Sequence, residues 1–335
     1  MRRRSIGFNR LLGPIAVVWA PASLSSVNQG FVVPAAHASA QSALQHTVLG
    51  PAIFAGVGVH TGAHVRVSVR PAPTDTGIVF VRTDITDQDN RVPAAAEAVC
   101  KTQLGTVIGN AAGVTVSTIE HLMAAFATLG VDNAIVELDG PEMPIMDGSS
   151  EPFVQILDQA GRRQQDAPRR YIEILAPIEV VDGDKSAKLL PSSQFEVAFE
   201  IVFDSPVIGR QAVDLVMTED AFRTELANCR TFGFAHEVEA LRAMGLARGG
   251  SLENAVVIEG DRILNPEGLR RPDEFVRHKA LDATGDLYVL GAPILGRFEG
   301  RLAGHGINNQ LVRALVAQPD AWRIRTFAPE LALAV

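Results

Sequence analysis

The chain has 335 residues, enough for about two domains of roughly 150 residues each. Hydrophobic residues make up 47% and charged residues 20%, a globular composition that excludes a disordered, collagen-like or coiled-coil chain. The formal net charge of -8 excludes a general attraction to nucleic acid or anionic lipid. Two distant cysteines, Cys100 and Cys229, suggest neither a disulfide framework nor a thiolate zinc site.

Residues 1–44 have the composition of a targeting segment. Arginines at the start precede an apolar stretch at 11–24, no acidic residue occurs, and the small-residue run at 36–40 resembles an A-x-A cleavage site. This extension is interpreted as signal-like or as the product of a mis-set start. Two prolines and a length below the roughly 20 residues that span a bilayer predict no stable membrane insertion.

An α+β domain is predicted for residues 45–166. Its short alternating segments are typical of half-buried strands, and Gly130 is a predicted helix C-cap. The polar, arginine-rich stretch at 161–170 is the predicted boundary. The predicted elements are strands at 64–69, 78–81 and 133–138 and helices at 117–130 and 152–160.

A second α+β domain is predicted for residues 169–325, followed by a C-terminal tail at 326–335. Strands again precede helices, so each half is predicted to be a layered sheet-and-helix sandwich. No Walker loop is present. The predicted elements are strands at 172–181, 187–190, 195–203 and 255–259 and helices at 219–226, 237–244, 272–289 and 309–318.

The helix at 272–289 carries a ladder of possible metal ligands. His278, Asp282 and Asp286 are four residues apart, which places them on one helix face. Imidazole and carboxylate suit Zn²⁺, which in catalytic sites has three protein ligands and an open position. The alternative is that these three residues lie on a solvent-exposed face of the helix and bind no metal.

The segment around Glu120 and His121 has two interpretations. Ser117 and Glu120 fit an S-x-x-E capping box, which would explain Glu120 without catalysis. In the functional interpretation, His121 is a third metal ligand and Glu120 a general base.

Two polar groups lie among glycines or aromatic residues. His305, between Gly304 and Gly306, is predicted to lie in a strand-to-helix loop. Its imidazole is either simply solvated or, with Asp286 as partner, a general acid. Thr231 stands beside aromatic residues, ordinarily a strand-end arrangement, and the glycine-rich stretch at 56–62 is predicted to be a hairpin turn.

Several segments occur in order along the chain, namely residues 117–122 (STIEHL), 144–149 (PIMDGS), 230–234 (RTFGF), 273–279 (DEFVRHK), 281–282 (LD) and 304–305 (GH). Together these segments resemble the UDP-3-O-acyl-N-acetylglucosamine deacetylase family, the zinc amidases of lipid A biosynthesis. The resemblance extends from about His46 to the C-terminal region. It implies two domains of similar topology, with the active site between them.

The resemblance also implies the reaction. It implies zinc-dependent hydrolysis of the N-acetyl group of UDP-3-O-(3-hydroxyacyl)-N-acetylglucosamine, which releases acetate and commits the substrate to lipid A in Gram-negative bacteria. The expected location is the cytoplasm, with which the signal-like extension conflicts. A monomer is expected. A related metallo-amidase acting on another acylated amino sugar, and a catalytically silent sugar-nucleotide binding protein, are the alternatives.

Residue roles follow from the same resemblance. It implies that His121, His278 and Asp282 bind Zn²⁺, although Fe²⁺ also suits such ligands, and that Glu120 is the general base. The remaining implied catalytic residues are Thr231 and Lys279 at the oxyanion and His305, oriented by Asp286, as general acid.

The implied substrate has an acyl chain and a UDP group. An inserted strand-helix-strand unit at 234–258 is predicted to form an apolar passage for the acyl chain. The passage is predicted from Phe234, Leu241, Met244, Leu246, Leu252, Val256 and Val257. The predicted substrate-binding residues are Phe232, Phe234, Arg277, Lys279, Gly250 and Ser251.

Overall fold

The computed structural model describes residues 42–328, so the predicted extension up to residue 41 and the tail from residue 329 lie outside the described residues. The first half of the described range contains β1 to β10, α1 and α2. In chain order they are β1 (Leu44–Val48), β2 (Ala52–Val57), β3 (His64–Pro71), β4 (Ile78–Arg82), β5 (Arg91–Pro93), β6 (Val99–Lys101), β7 (Val107–Gly109), β8 (Thr115–Val116), α1 (Glu120–Leu129), β9 (Ala134–Leu138), α2 (Glu151–Ala160) and β10 (Arg162–Pro168).

The second half contains β11 to β20 and α3 to α6, and a π-helical turn (Phe222–Leu226) continues α3. In chain order the elements are β11 (Tyr171–Ile174), β12 (Ile178–Asp182), β13 (Lys185–Leu190), β14 (Phe195–Val202), β15 (Arg210–Val216), α3 (Glu219–Ala221), β16 (Phe232–Phe234), α4 (Ala235–Ala243), β17 (Val256–Glu259), β18 (Arg262–Ile263), α5 (Glu274–Leu287), β19 (Ile294–Arg301), α6 (His305–Val316) and β20 (Trp322–Arg325).

The two halves have the same sheet topology. The first sheet has the order β2-β3-β9-β4-β5, and within it only β4 and β9 are parallel. In the second sheet the order β12-β13-β19-β14-β15 repeats it, with only β14 and β19 parallel among these five strands. Strands β11 and β20 extend the second sheet. The predicted α+β fold with two similar halves is therefore confirmed, whereas the domain boundaries stay a prediction.

Alternating burial explains why the predicted strand at 64–69 agrees with β3. In β3, Val65, Val67 and Val69 are buried and the residues between them are more exposed, as a half-buried strand requires. Helix α1 ends at Leu129 because Gly130 adopts a left-handed conformation with φ of 70°. Both predictions follow from local periodicity and local backbone chemistry.

The structure differs in detail from the sequence prediction at three places, and in one of them the predicted strand at 172–181 is divided into β11 and β12. Residues 161–170 are not only a polar boundary, because β10 pairs antiparallel with β1 in a two-stranded ribbon. Most β10 side chains are exposed, so the strand carries no apolar pattern that sequence reasoning could detect. The last long helix was predicted at 309–318, but α6 begins at His305, after Gly304 in an extended conformation.

The core of the molecule runs through both halves. Helix α1 packs against α5 and α2, while α5 and α6 pack against the second sheet. Gly285 lets α1 and α5 approach closely, since a Cβ atom there would lie 2.0 Å from the backbone oxygen of Glu120. No helix of residues 42–328 is long and apolar enough to cross a membrane.

Replacing Gly285 by alanine should destabilise the protein. The added methyl group must push α1 from α5, and such overpacking typically costs about 1–3 kcal/mol. The free energy of unfolding, measured with denaturant, tests this. Gly306→Ala in α6 is the matched control, because its Cβ would meet Thr102 at an ordinary 3.6 Å. Equal stability of the two variants would contradict the close approach of the helices.

Candidate active site

A cavity of about 720 Å³ opens between elements of the two halves. The first half contributes His60, Thr118, Glu120 and His121 to its lining. The second half contributes residues of α4, α5 and the start of α6. Most of the predicted site residues therefore meet in one place, although they come from segments up to about 180 residues apart.

Two of the three residues of the ladder on α5, His278 and Asp282, line this cavity. His278, Asp282 and Asp286 are 1%, 2% and 4% exposed, so the solvated-face interpretation is wrong. Only the first two lie at the candidate metal position, whereas Asp286 hydrogen bonds to His305.

His121 reaches the same position from α1. The helix begins at Glu120, and Ile119, its N-cap, makes no side-chain capping bond. The capping-box interpretation is wrong because Thr118 has a φ of 59°, which breaks the helix before Ser117 could cap it. Glu120 and His121 are instead the first two helical residues, with side chains about 100° apart.

Three side chains are arranged as metal ligands. Nε2 of His121 and Nε2 of His278 lie 3.5 and 3.3 Å from Oδ1 of Asp282. This buried Oδ1 has no hydrogen-bond partner within the described part of the chain. An unsatisfied buried carboxylate oxygen beside two imidazole nitrogens is a donor set that suits Zn²⁺ and similar transition-metal ions. His121, His278 and Asp282 could therefore hold a metal ion.

A backbone contact orients His278 for this role. Its Nδ1 lies 3.0 Å from the carbonyl oxygen of Cys229, so a proton on Nδ1 leaves Nε2 free towards the metal position. Burial lowers the pKa of His278 to about 3, against the opposing effect of Asp282. The imidazole is therefore neutral near pH 7, as ligation requires.

Glu120 lines the same cavity as the three candidate ligands and is 3% exposed. Its Oε2 accepts a hydrogen bond of 2.9 Å from the backbone N–H of Thr106. Oε1 does not take part in this bond. Burial raises the pKa of Glu120, although His305 and His121 oppose this effect. A carboxylate with a raised pKa is suited to accept and release a proton.

His305 lies near the second carboxylate oxygen of Asp282, with its Nε2 3.9 Å from Oδ2. Its Nδ1 contacts Oδ2 of Asp286 at 2.9 Å. Burial alone would lower the pKa of His305, but Asp286 outweighs burial and raises it to about 9. The predicted His305–Asp286 pair is present, although His305 begins α6 instead of lying in a loop.

Lys279 and Thr231 line the cavity near these groups. Nζ of Lys279 donates to Oδ2 of Asp282 at 2.8 Å. Burial would lower the pKa of Lys279, but Asp282 and other carboxylates raise it, so the ammonium stays charged. Thr231 is held by its N–H, which donates to the carbonyl oxygen of Gly148 at 2.8 Å.

The predicted substrate-binding residues separate into two groups. Phe232, Phe234, Lys279, Gly250 and Ser251 line the cavity. Arg277 does not, because it points about 100° away from His278 on α5 and forms ion pairs with Glu225 and Asp273. The structure therefore gives no support to the predicted role of Arg277 in substrate binding.

The inserted unit forms β16, α4 and the parallel strand β17. Leu241, Leu252 and Val257 line the cavity with Phe234, as the passage requires. Val256 is instead fully buried core, and Met244 is 60% exposed. Leu246 is also absent from the lining.

Sequence reasoning missed two polar groups that hold Asp286. The hydroxyl of Thr106 donates to its Oδ1 at 2.6 Å and Nδ2 of Asn308 donates to its Oδ2 at 2.9 Å. Thr106 is 180 residues away from Asp286, so no local signal could have identified it. His60 also lines the cavity, and its glycine-flanked position was the available signal.

Comparison with known proteins identifies the family of this chain. Residues 45–317 match the family model of UDP-3-O-acyl N-acetylglycosamine deacetylase (LpxC). The chain is 78% identical over 291 residues to the UDP-3-O-acyl-N-acetylglucosamine deacetylase of Phenylobacterium zucineum (strain HLK1), covering 87% of this chain and 99% of that protein. It is 52% identical over 288 residues to the enzyme of the same name from Shewanella sp. (strain W3-18-1), covering 85% and 94%. This chain belongs to the UDP-3-O-acyl-N-acetylglucosamine deacetylase family.

Proposed function

We propose that this chain hydrolyses the N-acetyl group of UDP-3-O-(3-hydroxyacyl)-N-acetylglucosamine, releasing acetate, with Zn²⁺ held by His121, His278 and Asp282. The observation that carries the proposal is the unsatisfied Oδ1 of Asp282 between two imidazole nitrogens, next to Glu120 and His305. Family membership supports the substrate class. The reaction is proposed to take place in the cytoplasm.

The proposed proton transfers use two residues of opposite charge. When bound, Zn²⁺ would polarise the acetamide carbonyl and lower the pKa of water from 15.7 to about 7. Glu120 takes the proton of the attacking water, because its carboxylate lines the same cavity as His121, His278 and Asp282. His305, kept protonated by Asp286, donates a proton to the departing glucosamine nitrogen.

Two other cavity residues stabilise the negative charge that develops on the acetamide oxygen. Lys279 contributes its ammonium group and Thr231 its hydroxyl. Preorganised donors of this kind are each worth about 2.7–4 kcal/mol of barrier. Lys279 also neutralises Asp282, which reduces the repulsion between that carboxylate and the oxyanion.

The rest of the cavity is proposed to receive the remainder of the substrate. Phe234, Leu241, Leu252 and Val257 provide apolar surface for an acyl chain, at about 0.8 kcal/mol per buried methylene. Phe232 offers an aromatic ring for a sugar or base. Residues from both halves of a single chain complete the site, so we propose that a monomer is active.

Deacetylation of UDP-3-O-acyl-N-acetylglucosamine before and after chelation tests the proposal. We expect activity that is lost with a chelator and restored by about one equivalent of Zn²⁺, as a single catalytic site requires. Fe²⁺ is tested in parallel. A folded, metal-loaded protein that does not release acetate would refute the proposed substrate. Activity on another acylated amino sugar would then favour the related metallo-amidase.

The proposed acid predicts a bell-shaped dependence of kcat/KM on pH. Glu120 must be ionised, so the rate rises with pH through its raised pKa. His305 must be protonated, so the rate falls as pH rises through its pKa of about 9. A bound cation repels the imidazolium and lowers this pKa. His305→Ala should lower the rate about 10²–10⁴-fold and remove the basic limb.

The exposed His64 provides the control, since His64→Ala should keep both limbs. A basic limb that persists in His305→Ala would assign the acid to another group, with Glu120 the next choice.

A further inference from the structure

A buried carboxylate outside the cavity connects loops that line it. Glu142 is 0% exposed and accepts four hydrogen bonds. The backbone N–H groups of His60 and Thr61 donate at 2.8 Å each, and the hydroxyls of Thr61 and Thr118 donate at 2.6 and 3.1 Å. Because a carboxylate has about four lone-pair sites and no proton to donate, it matches this set of donors.

One of these contacts reaches the start of α1. The hydroxyl of Thr118 bonds to Oε1 of Glu142, and the neighbouring Ser117 forms a β-bridge with the Glu142 backbone. Thr118 is the residue in a left-handed conformation, two positions before Glu120. Glu142 therefore holds the strained backbone through which the chain enters α1.

A second connection runs through the turn at 58–62. Nε2 of His60 lies 2.9 Å from the carbonyl oxygen of Leu104. Two residues further on, the N–H of Thr106 donates to Oε2 of Glu120. The turn that Glu142 holds is thus joined to the segment that orients the Glu120 carboxylate.

A third connection reaches the loop after α4. The N–H groups of Arg248 and Gly249 donate to the carbonyl oxygens of His60 and Val59, at 3.1 and 3.0 Å. The packing is close, since a Cβ atom on Gly249 would lie 2.3 Å from the oxygen of Gly58. This loop joins α4 to β17, both of which contribute apolar residues to the cavity.

We propose that Glu142 is a positioning residue for the deacetylase reaction. It touches no substrate and acts through the turn at 58–62, which fixes Glu120 on one side and the inserted unit on the other. Glu120 is needed for the chemical step and the inserted unit for binding the acyl chain, so Glu142 affects both kcat and KM. The inference rests on the proposed function.

Glu142→Gln tests this role with a side chain of the same size. The glutamine amide has one acceptor oxygen, so it cannot accept from the N–H groups of both His60 and Thr61, which bond to different oxygens of Glu142. Its NH₂ group is itself a donor and faces one of these donors instead of an acceptor. We expect kcat to fall and KM to rise, with kcat/KM reduced about 10–100-fold, because misplacement by about 1 Å can cost 10²-fold. Metal content should be unchanged. Amide hydrogen exchange should become faster at 58–62, 104–106 and 247–249.

Two further variants separate positioning from stability. Gly58→Ala places a Cβ atom 2.3 Å from Oε2 of Glu142, so the carboxylate must move and the same kinetic changes are expected. Thr47→Val is the control, because it removes a buried hydrogen bond of 3.0 Å to the N–H of Ala72, away from the cavity. It should lower thermal stability and leave kcat and KM at wild-type values.

Wild-type kinetics and exchange in Glu142→Gln would overturn the inference. So would kinetic changes no larger than those of Thr47→Val. A wild-type protein without deacetylase activity would refute the proposed function, but it would not test the connection of the loops by Glu142. In that case, unchanged hydrogen exchange in Glu142→Gln would refute this connection.

Discussion

Replacing Asp282 by asparagine should abolish metal binding and deacetylation together. The variant keeps the size of the side chain but removes the charge that faces His121, His278 and Lys279. An uncharged amide is a poor ligand, and Lys279 loses its ion pair and repels a cation. We expect the metal content to fall well below one equivalent and kcat/KM to fall at least about 10³-fold, or roughly 4 kcal/mol.

Metal analysis after gel filtration checks the first effect and the deacetylation rate checks the second. Asp273→Asn is the matched control, since Asp273 directly precedes the same helix, makes no side-chain capping bond and contacts Arg277 outside the cavity. It should keep both metal and activity. An Asp282→Asn protein with one equivalent of tightly bound metal would contradict the ligand assignment.

Glu120→Gln should separate metal binding from turnover. The amide oxygen of glutamine can still accept the N–H of Thr106, so the side chain should stay in place. Glutamine cannot take the proton of the attacking water, however, and loss of a general base costs about 10²–10⁴-fold. We therefore expect kcat to fall by this factor while metal content and KM change little.

Comparison with Asp282→Asn makes this experiment decisive. Both variants should lose activity, but only Glu120→Gln should keep its metal. Glu151→Gln is the control, since Glu151 begins α2 as Glu120 begins α1 but does not line the cavity. Glu120→Gln with more than about a tenth of the wild-type kcat would exclude Glu120 as the base.

The two halves place these residues opposite one another. In each half a helix precedes the central strand, α1 before β9 and α5 before β19. These equivalent helices pack together at Gly285. The contact brings the start of α1, with Glu120 and His121, beside the ligand face of α5.

Sequence alone could determine those features that depend on residues close together in the chain. The i, i+4 spacing of His278 and Asp282 put both on one face of a helix, and alternation in β3 gave a half-buried strand. The segments resembling a known family indicated the reaction, because the types and the order of its functional residues are themselves properties of sequence. These predictions needed no knowledge of which elements meet.

Tertiary structure alone decided which groups meet across long separations. The carbonyl of Cys229 orients His278, and the hydroxyl of Thr106 holds Asp286. Arg277 matches the family segment but turns away from the cavity into ion pairs. A backbone carbonyl has no sequence signature, and a helix turns each residue about 100° from the last, so only the packed structure shows which side chains share a cavity.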